Sequence, residues 1–284
     1  MNRRDFLIHL SATGATLGLG YKILSLIGKG NYSPQPVLFF GHGSPMNAIE
    51  DNDFSSSWKK MGSNLNPRAI IVVSAHWETR GTSISSREKN ETIYDFGGFP
   101  KKLYEVKYEP KGDKKLARIL AEEKGWSNSD KWGLDHGAWS VLIHAFPKAE
   151  IPVIQLSIDR SLSFKEHWTL GKELKDLRNN GCLIVGSGNI VHNLRQISWD
   201  NSQKYPWAEE FQEKVLEIIK NREYTKLIDL EKDKNFLAAH PTPEHFIPLL
   251  YVFSIASTED VVEINTPKIE LGSISMASFL IKRN

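Results

Sequence analysis

The sequence is poor in cysteine and has no excess of charge of either sign. Cys182 is its single cysteine, which excludes an internal disulfide and any zinc site built from several thiolates. The 36 basic and 34 acidic residues give a formal net charge of +2, so the sequence predicts no strong field for nucleic acid or for an anionic membrane. Because Cys182 stands in an apolar run, we expect it to be a core residue.

A long uninterrupted apolar run is also lacking. The largely apolar stretch 6–27 is broken by a histidine, hydroxyl residues and a lysine, which makes it a poor membrane span. Arg3 and Arg4 precede it, and together they resemble a twin-arginine export signal. We therefore predict an export leader over 1–30, with a periplasmic location for 31–284, either free or held at the membrane by an uncleaved leader. The alternative is a basic start before a surface helix.

What is present is an alternation of strand and helix patterns. Four short apolar runs rich in branched residues predict buried strands: 37–40, 69–73, 151–158 and 182–185. Three segments with helical spacing lie between or after them: 114–124, 164–180 and 207–222. The pattern predicts a single α/β domain with a mostly parallel central sheet flanked by helices. Late strands are expected over 261–264 and 275–281, at or near an edge.

Histidines follow three of the predicted strands. His42 comes after the first strand, His76 after the second and His192 after the strand that contains Cys182. The carboxyl ends of parallel strands form the usual ligand crevice of such sheets, so we expect the three imidazoles to meet there and bind a metal. The alternative is three unrelated loop histidines.

Two further histidines occupy helix starts. His136 follows Asp135, which is the expected N-cap of a helix over 138–146. His245 follows Glu244 in the first turn of a helix that begins after two prolines. Asp135 and Glu244 are both residues that helix starts favour for structural reasons alone, so neither is by itself evidence for chemistry.

Six motifs in the same order resemble those of one enzyme family. They are Gly-His-Gly-Ser-Pro-Met-Asn (41–47), Ser-Ala-His-Trp (74–77), Asp-Phe-Gly-Gly-Phe-Pro (95–100), Asp-His-Gly-Ala-Trp (135–139), Gly-Asn-Ile-Val-His-Asn-Leu (188–194) and Pro-Thr-Pro-Glu-His-Phe (241–246). The chain from Pro36 onward resembles the DODA-type, LigB-like class III extradiol ring-cleaving dioxygenases. The resemblance implies that 31–284 is a catalytic domain of this type.

The resemblance also implies a metal site and its ligands. A non-haem divalent metal would be held by His42, His76 and His245, with His192 either a fourth ligand or the acid/base residue. His136 would be a second catalytic histidine, acting on oxygen. Ferrous iron is the expected ion because the reaction passes electrons to O₂, whereas Zn(II) also suits histidine ligands but is redox-inert. Glu244 is the fallback ligand.

The implied reaction opens the ring of a catechol, such as L-DOPA, with O₂ to give a semialdehyde. In it, His192 would take a phenolic proton, and the loop 95–100 would contact the substrate ring. Two other functions are carried as alternatives: a zinc-dependent hydrolase that uses the same histidines, and a non-catalytic binding protein on the same scaffold. His240 is a weaker candidate metal ligand than His245. The sequence predicts neither which catechol is the substrate nor the oligomeric state.

Overall fold

The computed structural model describes residues 33–200 and 203–284. The predicted export leader, 1–30, lies outside the described residues and stays a prediction. Within the described ranges, no helix combines the length and the apolar character needed to cross a membrane.

An eight-stranded sheet forms the centre of the domain, beside a two-stranded ribbon. The strands are β1 (Val37–Gly41), β2 (Ala69–Thr79), β3 (Ser83–Ser85), β4 (Ser127–Ser129), β5 (Val153–Asp159), β6 (Cys182–Gly188), β7 (Val261–Asn265), β8 (Ile269–Glu270), β9 (Ile274–Ser275) and β10 (Ser278–Lys282). The order in the large sheet is β4-β3-β5-β2-β6-β1-β10-β7, and β8 pairs with β9 in the ribbon. The four central strands, β5, β2, β6 and β1, are parallel, and β10 and β7 continue the sheet antiparallel. The predicted α/β domain is confirmed.

Helices cover both faces of the sheet. The α-helices are α1 (Asp53–Gly62), α2 (Lys114–Lys124), α3 (His136–Ala145), α4 (Phe164–Lys172), α5 (Lys175–Asn179), α6 (Pro206–Lys220), α7 (Phe236–Ala239) and α8 (Ile247–Ile255). Short 3₁₀ helices are Pro45–Ala48, Lys101–Glu105, Leu194–Gln196, Tyr224–Lys232 and Pro243–His245. The single helix predicted over 164–180 is wrong, because α4 ends at Lys172. Gly171 there packs so closely on α8 that a Cβ would lie 2.3 Å from the Ser254 hydroxyl.

The two hydrophobic layers follow from the alternation of side chains along each strand. Leu38 and Phe40 point to the face covered by α1 and α3, where Trp58 is fully buried. Val37 and Phe39 point to the opposite face, which α4, α6 and α8 cover. Because both faces of the central strands are buried, their sequences read as continuous apolar runs rather than as alternating ones.

A buried ion pair ties α5 to the segment before β7. Arg178 donates to both carboxylate oxygens of Asp260, at 2.8 and 3.0 Å, and the two side chains are 3% and 1% exposed. Arg178 also donates to the carbonyl of Gln35, 2.8 Å away, just ahead of β1. Burial raises the pKa of Asp260, but the hydrogen bonds from Arg178 and from the Ser257 N–H, with the guanidinium charge, outweigh it and hold that pKa below its ordinary value.

Candidate active site

Two histidines face each other at the carboxyl ends of the central strands. His42 follows β1, and His76 lies in the last part of β2, where the pairing with β5 shifts register between Val73 and Glu78. Their Nε2 atoms are 3.1 Å apart. Two imidazole nitrogens bound to one ion at about 2.0–2.1 Å are about 3 Å from each other. The pair therefore has the spacing of two ligands of a single metal.

His245 completes a triangle with this pair. Its ring centroid is 5.4 Å from that of His42 and 5.0 Å from that of His76. The residue is 5% exposed, and its Nε2 atom is buried without a hydrogen-bond partner. Buried polar nitrogens nearly always have a partner, so this orphaned atom beside two other imidazoles fits a metal ligand.

An oxygen atom lies beside the outer nitrogen of each ring in the triangle. The Nδ1 atoms of His42 and His245 lie 3.0 Å from the Ser187 hydroxyl and 2.8 Å from the Glu244 carboxylate. His76 Nδ1 lies 3.3 Å from a carboxylate oxygen of Asp95. Such outer partners orient metal-binding imidazoles and leave the inner nitrogen for the ion. Glu244, the fallback ligand, is placed here as a partner of His245.

His136 also belongs to the cluster. It begins α3, after the N-cap Asp135 expected from the sequence, and its ring centroid is 3.9 Å from that of His76. Nitrogens of His42, His76 and His136 lie within 4.8 Å of one another, as do ligand atoms of His192, Glu244 and His245. The described residues thus offer two neighbouring groups of metal-ligating atoms, and the triangle takes its members from both.

Asp95 is the functional residue that the sequence reasoning missed. One of its carboxylate oxygens accepts the backbone N–H of His136 at 2.8 Å, and the other lies 2.9 Å from the ring Nδ1 of His136. The side chain is 18% exposed. Its loop was expected to contact substrate, but no pattern in the sequence linked Asp95 to a histidine 41 residues away.

The ring of His192 stacks face to face on the ring of His245. The two rings are parallel within 6° and their centroids are 3.4 Å apart. The backbone N–H of His192 donates to the carbonyl of Ala239 at 2.9 Å, which fixes the loop after β6. Because the lone pairs of an imidazole lie in its ring plane, the nitrogens of these two stacked rings point along separate, parallel planes.

Glycines let the site elements approach one another. A Cβ on Gly137 would lie 2.8 Å from the His76 ring and 2.6 Å from the Ser74 hydroxyl. A Cβ on Gly188, at the end of β6, would lie 2.2 Å from the carbonyl oxygen of His245. All three distances are shorter than van der Waals contact, so a side chain at either position would force its neighbours to move.

Burial sets the charge state of the cluster. It lowers the pKa of His42 and of His245 well below the ordinary value, with a further lowering by the neighbouring histidines. Burial and His136 together lower the pKa of His76 to about 3, against a smaller opposite effect of Asp95. At neutral pH these rings are neutral, which is the form that binds metals.

Asp95 is ionised in the same surroundings. Burial raises its pKa, but the hydrogen bonds from the ring and the backbone N–H of His136, with the electrostatic influence of the two neighbouring imidazoles, outweigh burial, so the pKa of Asp95 lies below its ordinary value. The site therefore combines the neutral rings of His42, His76 and His245 with the carboxyl groups of Asp95 and Glu244 at its edge.

All five motif histidines line one cavity of about 490 Å³, together with Asp95 and with Phe96 and Phe99 of the same loop. The structure places the other candidates elsewhere. His240 is buried among phenylalanines and its Nε2 lies 2.6 Å from the carbonyl of Ile190. Trp199 also lines the cavity, whereas Trp77 stacks on Trp132.

Comparisons with known proteins agree with the geometry. The model of the catalytic LigB subunit of aromatic ring-opening dioxygenases matches residues 34–280. The chain is 44% identical over 255 residues to the 4,5-DOPA dioxygenase extradiol of Escherichia coli K12, covering 87% of this chain and 94% of that protein. It is 37% identical to the protein of the same name from Beta vulgaris, covering 86% and 95%.

A solved structure shares the fold. The crystal structure of an uncharacterized protein from Escherichia coli K12 superposes with a TM-score of 0.74 at 40% identity, covering 87% of this chain and 99% of that one. The family implies a non-haem divalent metal, and the histidine cluster described above could hold one. The chain belongs to the LigB family of aromatic ring-opening dioxygenases and is a metal-dependent extradiol ring-cleaving enzyme.

Proposed function

We propose that this enzyme opens the ring of a catechol at Fe(II) held by His42, His76 and His245. The observation that carries the ligand assignment is the unpartnered, buried Nε2 of His245 beside the facing Nε2 atoms of the other two rings. Each of the three rings also has an oxygen partner at its outer nitrogen. The names of the relatives make L-DOPA the first catechol to test.

Iron supports this chemistry better than zinc does. Bound Fe(II) can pass electrons between a chelated diol and O₂, whereas Zn(II) has no redox chemistry and acts only as a Lewis acid. The three neutral imidazoles suit either ion. The reaction, rather than the ligand set, is therefore the reason for assigning iron.

His192 is proposed as the acid/base residue, and not as a fourth ligand. Its ring lies parallel to that of His245 with the centroids 3.4 Å apart, so the two rings do not share a plane. Burial, with a contribution from His136, lowers the pKa of His192 to about 4, so its ring is neutral at pH 7 and can accept a proton. We assign it to take a proton from a substrate hydroxyl at a ring nitrogen.

His136 is proposed to contact the reacting oxygen atoms. Nδ1 of His136 lies 2.9 Å from the Asp95 carboxylate, which can only accept a hydrogen bond, so this contact assigns a proton to Nδ1. Nε2 is then left for the contents of the cavity. Phe96 and Phe99, which line the same cavity, would hold the substrate ring and keep water away from it.

The test is oxygen uptake by the enzyme reconstituted anaerobically with Fe(II) or Zn(II), using L-DOPA and unsubstituted catechol. We expect uptake with iron alone, accompanied by the absorbance of a semialdehyde. His245→Ala should lose bound metal, whereas His192→Ala should keep the metal and lose turnover. No uptake with any diol despite tight metal binding would refute the proposal and favour zinc-dependent hydrolysis or simple ligand binding.

A further inference from the structure

The cavity continues beyond the histidines into an apolar rim. Leu194, Ile197 and Trp199 from the segment after β6 line it, and Leu271 lines it from the turn before β9. A volume of about 490 Å³ falls in the range of pockets that bury drug-sized ligands, and is larger than one catechol ring requires. The rim is therefore space for a substituent on the ring.

The rim exposes large apolar side chains to solvent. Three large hydrophobic side chains are exposed in the described part of the chain, and two of them line this cavity: Leu194, 62% exposed, and Trp199, 85% exposed. Exposed apolar surface around a concave site marks a place where a ligand binds. The third, Leu237, is 77% exposed and does not line the cavity.

The rim is held in place by the rest of the fold. The backbone N–H of Asn193 donates to the carbonyl of Ser273 at 3.1 Å, and that of Ser198 donates to the carbonyl of Leu271 at 2.9 Å. The Asn193 side chain donates to the carbonyl of Ala238 at 2.7 Å. The rim segment is thus fixed at both ends, so its apolar side chains are positioned before a ligand arrives.

No lysine or arginine lines this cavity among the described residues. A substituent that carries a carboxylate, or both an ammonium and a carboxylate as in L-DOPA, would find no lysine or arginine among the residues that line the cavity. A charged group gains nothing from apolar contact and loses hydration when it is covered. An alkyl or aryl substituent gains from each methylene that it buries.

We infer that this enzyme prefers catechols with an uncharged apolar substituent over amino-acid or carboxylate catechols, and that Leu194 and Trp199 are the specificity residues. The inference rests on the proposed function, because it places the diol at the histidines and the substituent at the rim. It narrows the substrate class from any catechol to alkyl- and aryl-catechols.

The first measurement is anaerobic binding of catechol, 4-butylcatechol and L-DOPA to the Fe(II) enzyme by titration calorimetry, which needs no turnover. Each buried methylene is expected to tighten binding about fourfold, so 4-butylcatechol should bind at least about tenfold more tightly than catechol. L-DOPA should bind no more tightly than catechol. Tighter binding of L-DOPA than of 4-butylcatechol would overturn the inference.

The second measurement is kcat/KM for the same three diols with rim variants. Trp199→Ala and Leu194→Ala should each lower the value for 4-butylcatechol about fivefold to tenfold more than they lower the value for catechol. Leu237→Ala is the matched control, similarly exposed but outside the cavity, and should change neither. An equal loss for all three diols, or no loss for any of them, would overturn the inference.

These outcomes separate the two proposals. If no diol is turned over but the binding order holds and follows Trp199, the ring-opening proposal fails and the apolar subsite stands. If catechol is turned over but L-DOPA is preferred, and Arg195→Gln removes that preference, the reaction stands and the subsite inference fails, since a cation next to the rim in sequence would then be recognising the carboxylate.

Discussion

Replacing Asp95 with asparagine should separate metal binding from turnover. The amide of the Asp95→Asn variant would keep one oxygen, which can still accept the backbone N–H of His136, 2.8 Å from the carboxylate in wild type. The amide NH₂ would then face the ring Nδ1, which lies 2.9 Å from the second carboxylate oxygen in wild type. Two donors cannot face each other, so His136 would move its proton to Nε2, which is the nitrogen that faces the cavity contents.

The size of the effect follows from the single hydrogen bond that the substitution removes. A hydrogen bond to a charged carboxylate is worth about 1.5–3 kcal/mol. At about 1.4 kcal/mol for each factor of ten, we expect kcat/KM to fall about 10- to 150-fold. The contact of Asp95 with His76 Nδ1 is longer, 3.3 Å, so metal affinity should change much less.

The assay is oxygen uptake at saturating Fe(II) for wild type and Asp95→Asn, with metal content measured on the same samples. Asp113→Asn is the matched control. Asp113 caps α2 by accepting the N–H of Leu116 at 2.9 Å, away from the cavity, and asparagine can cap equally well. If Asp95→Asn keeps its metal and stays within about twofold of wild-type kcat/KM, the role assigned to Asp95 is wrong.

Three further predictions concern packing and charge. Gly137→Ala should weaken metal binding at least about tenfold in a calorimetric titration, because the new Cβ would displace the His76 ring, and unchanged affinity would contradict the close packing seen here. Arg178→Met should lower the free energy of unfolding by about 3–5 kcal/mol, since it leaves the Asp260 carboxylate buried without its partner; a loss below about 1 kcal/mol in urea denaturation would refute this. The folded-state pKa of Asp260 lies below its ordinary value of 3.8, so its stabilising contribution is complete above that pH and is lost as pH falls through the lower, folded value. Wild type should therefore lose stability more steeply than Asp260→Asn below pH 3.8 in thermal melts, and equal slopes would count against the pair.

The central strands were predictable because burial on both faces leaves a local signature. The run 182–185 is apolar without alternation, and it lies within β6. Ser83–Ser85 and Ser127–Ser129 were not predicted, because these short strands at one side of the sheet are mostly polar. The position of β10 between β1 and β7 was beyond prediction, since strand order depends on contacts that no local pattern encodes.

The site was predictable to the extent that its residues follow strands. The positions of His42, His76 and His192 came from the strand pattern, whereas the roles of His136 and His245 came from the family resemblance. The partner of His136 was missed because hydrogen bonds across 41 residues leave no periodic signal. The apolar rim was missed for the same reason, since Leu271 reaches the cavity from a distant turn.

The pairing of β1 with β10 has a consequence for the order in which the protein acquires its metal. The backbone N–H of Gly41, next to His42, donates to the Ser278 hydroxyl across 237 residues of sequence. Contacts of such long separation close late, because the entropy of the intervening loop must be overcome first. In a chain that is still emerging from the ribosome, His42 and His76 would therefore lack the C-terminal residues that fix their positions. High-affinity metal binding should therefore follow completion of the fold, and only chains with a fully assembled sheet should bind the ion tightly.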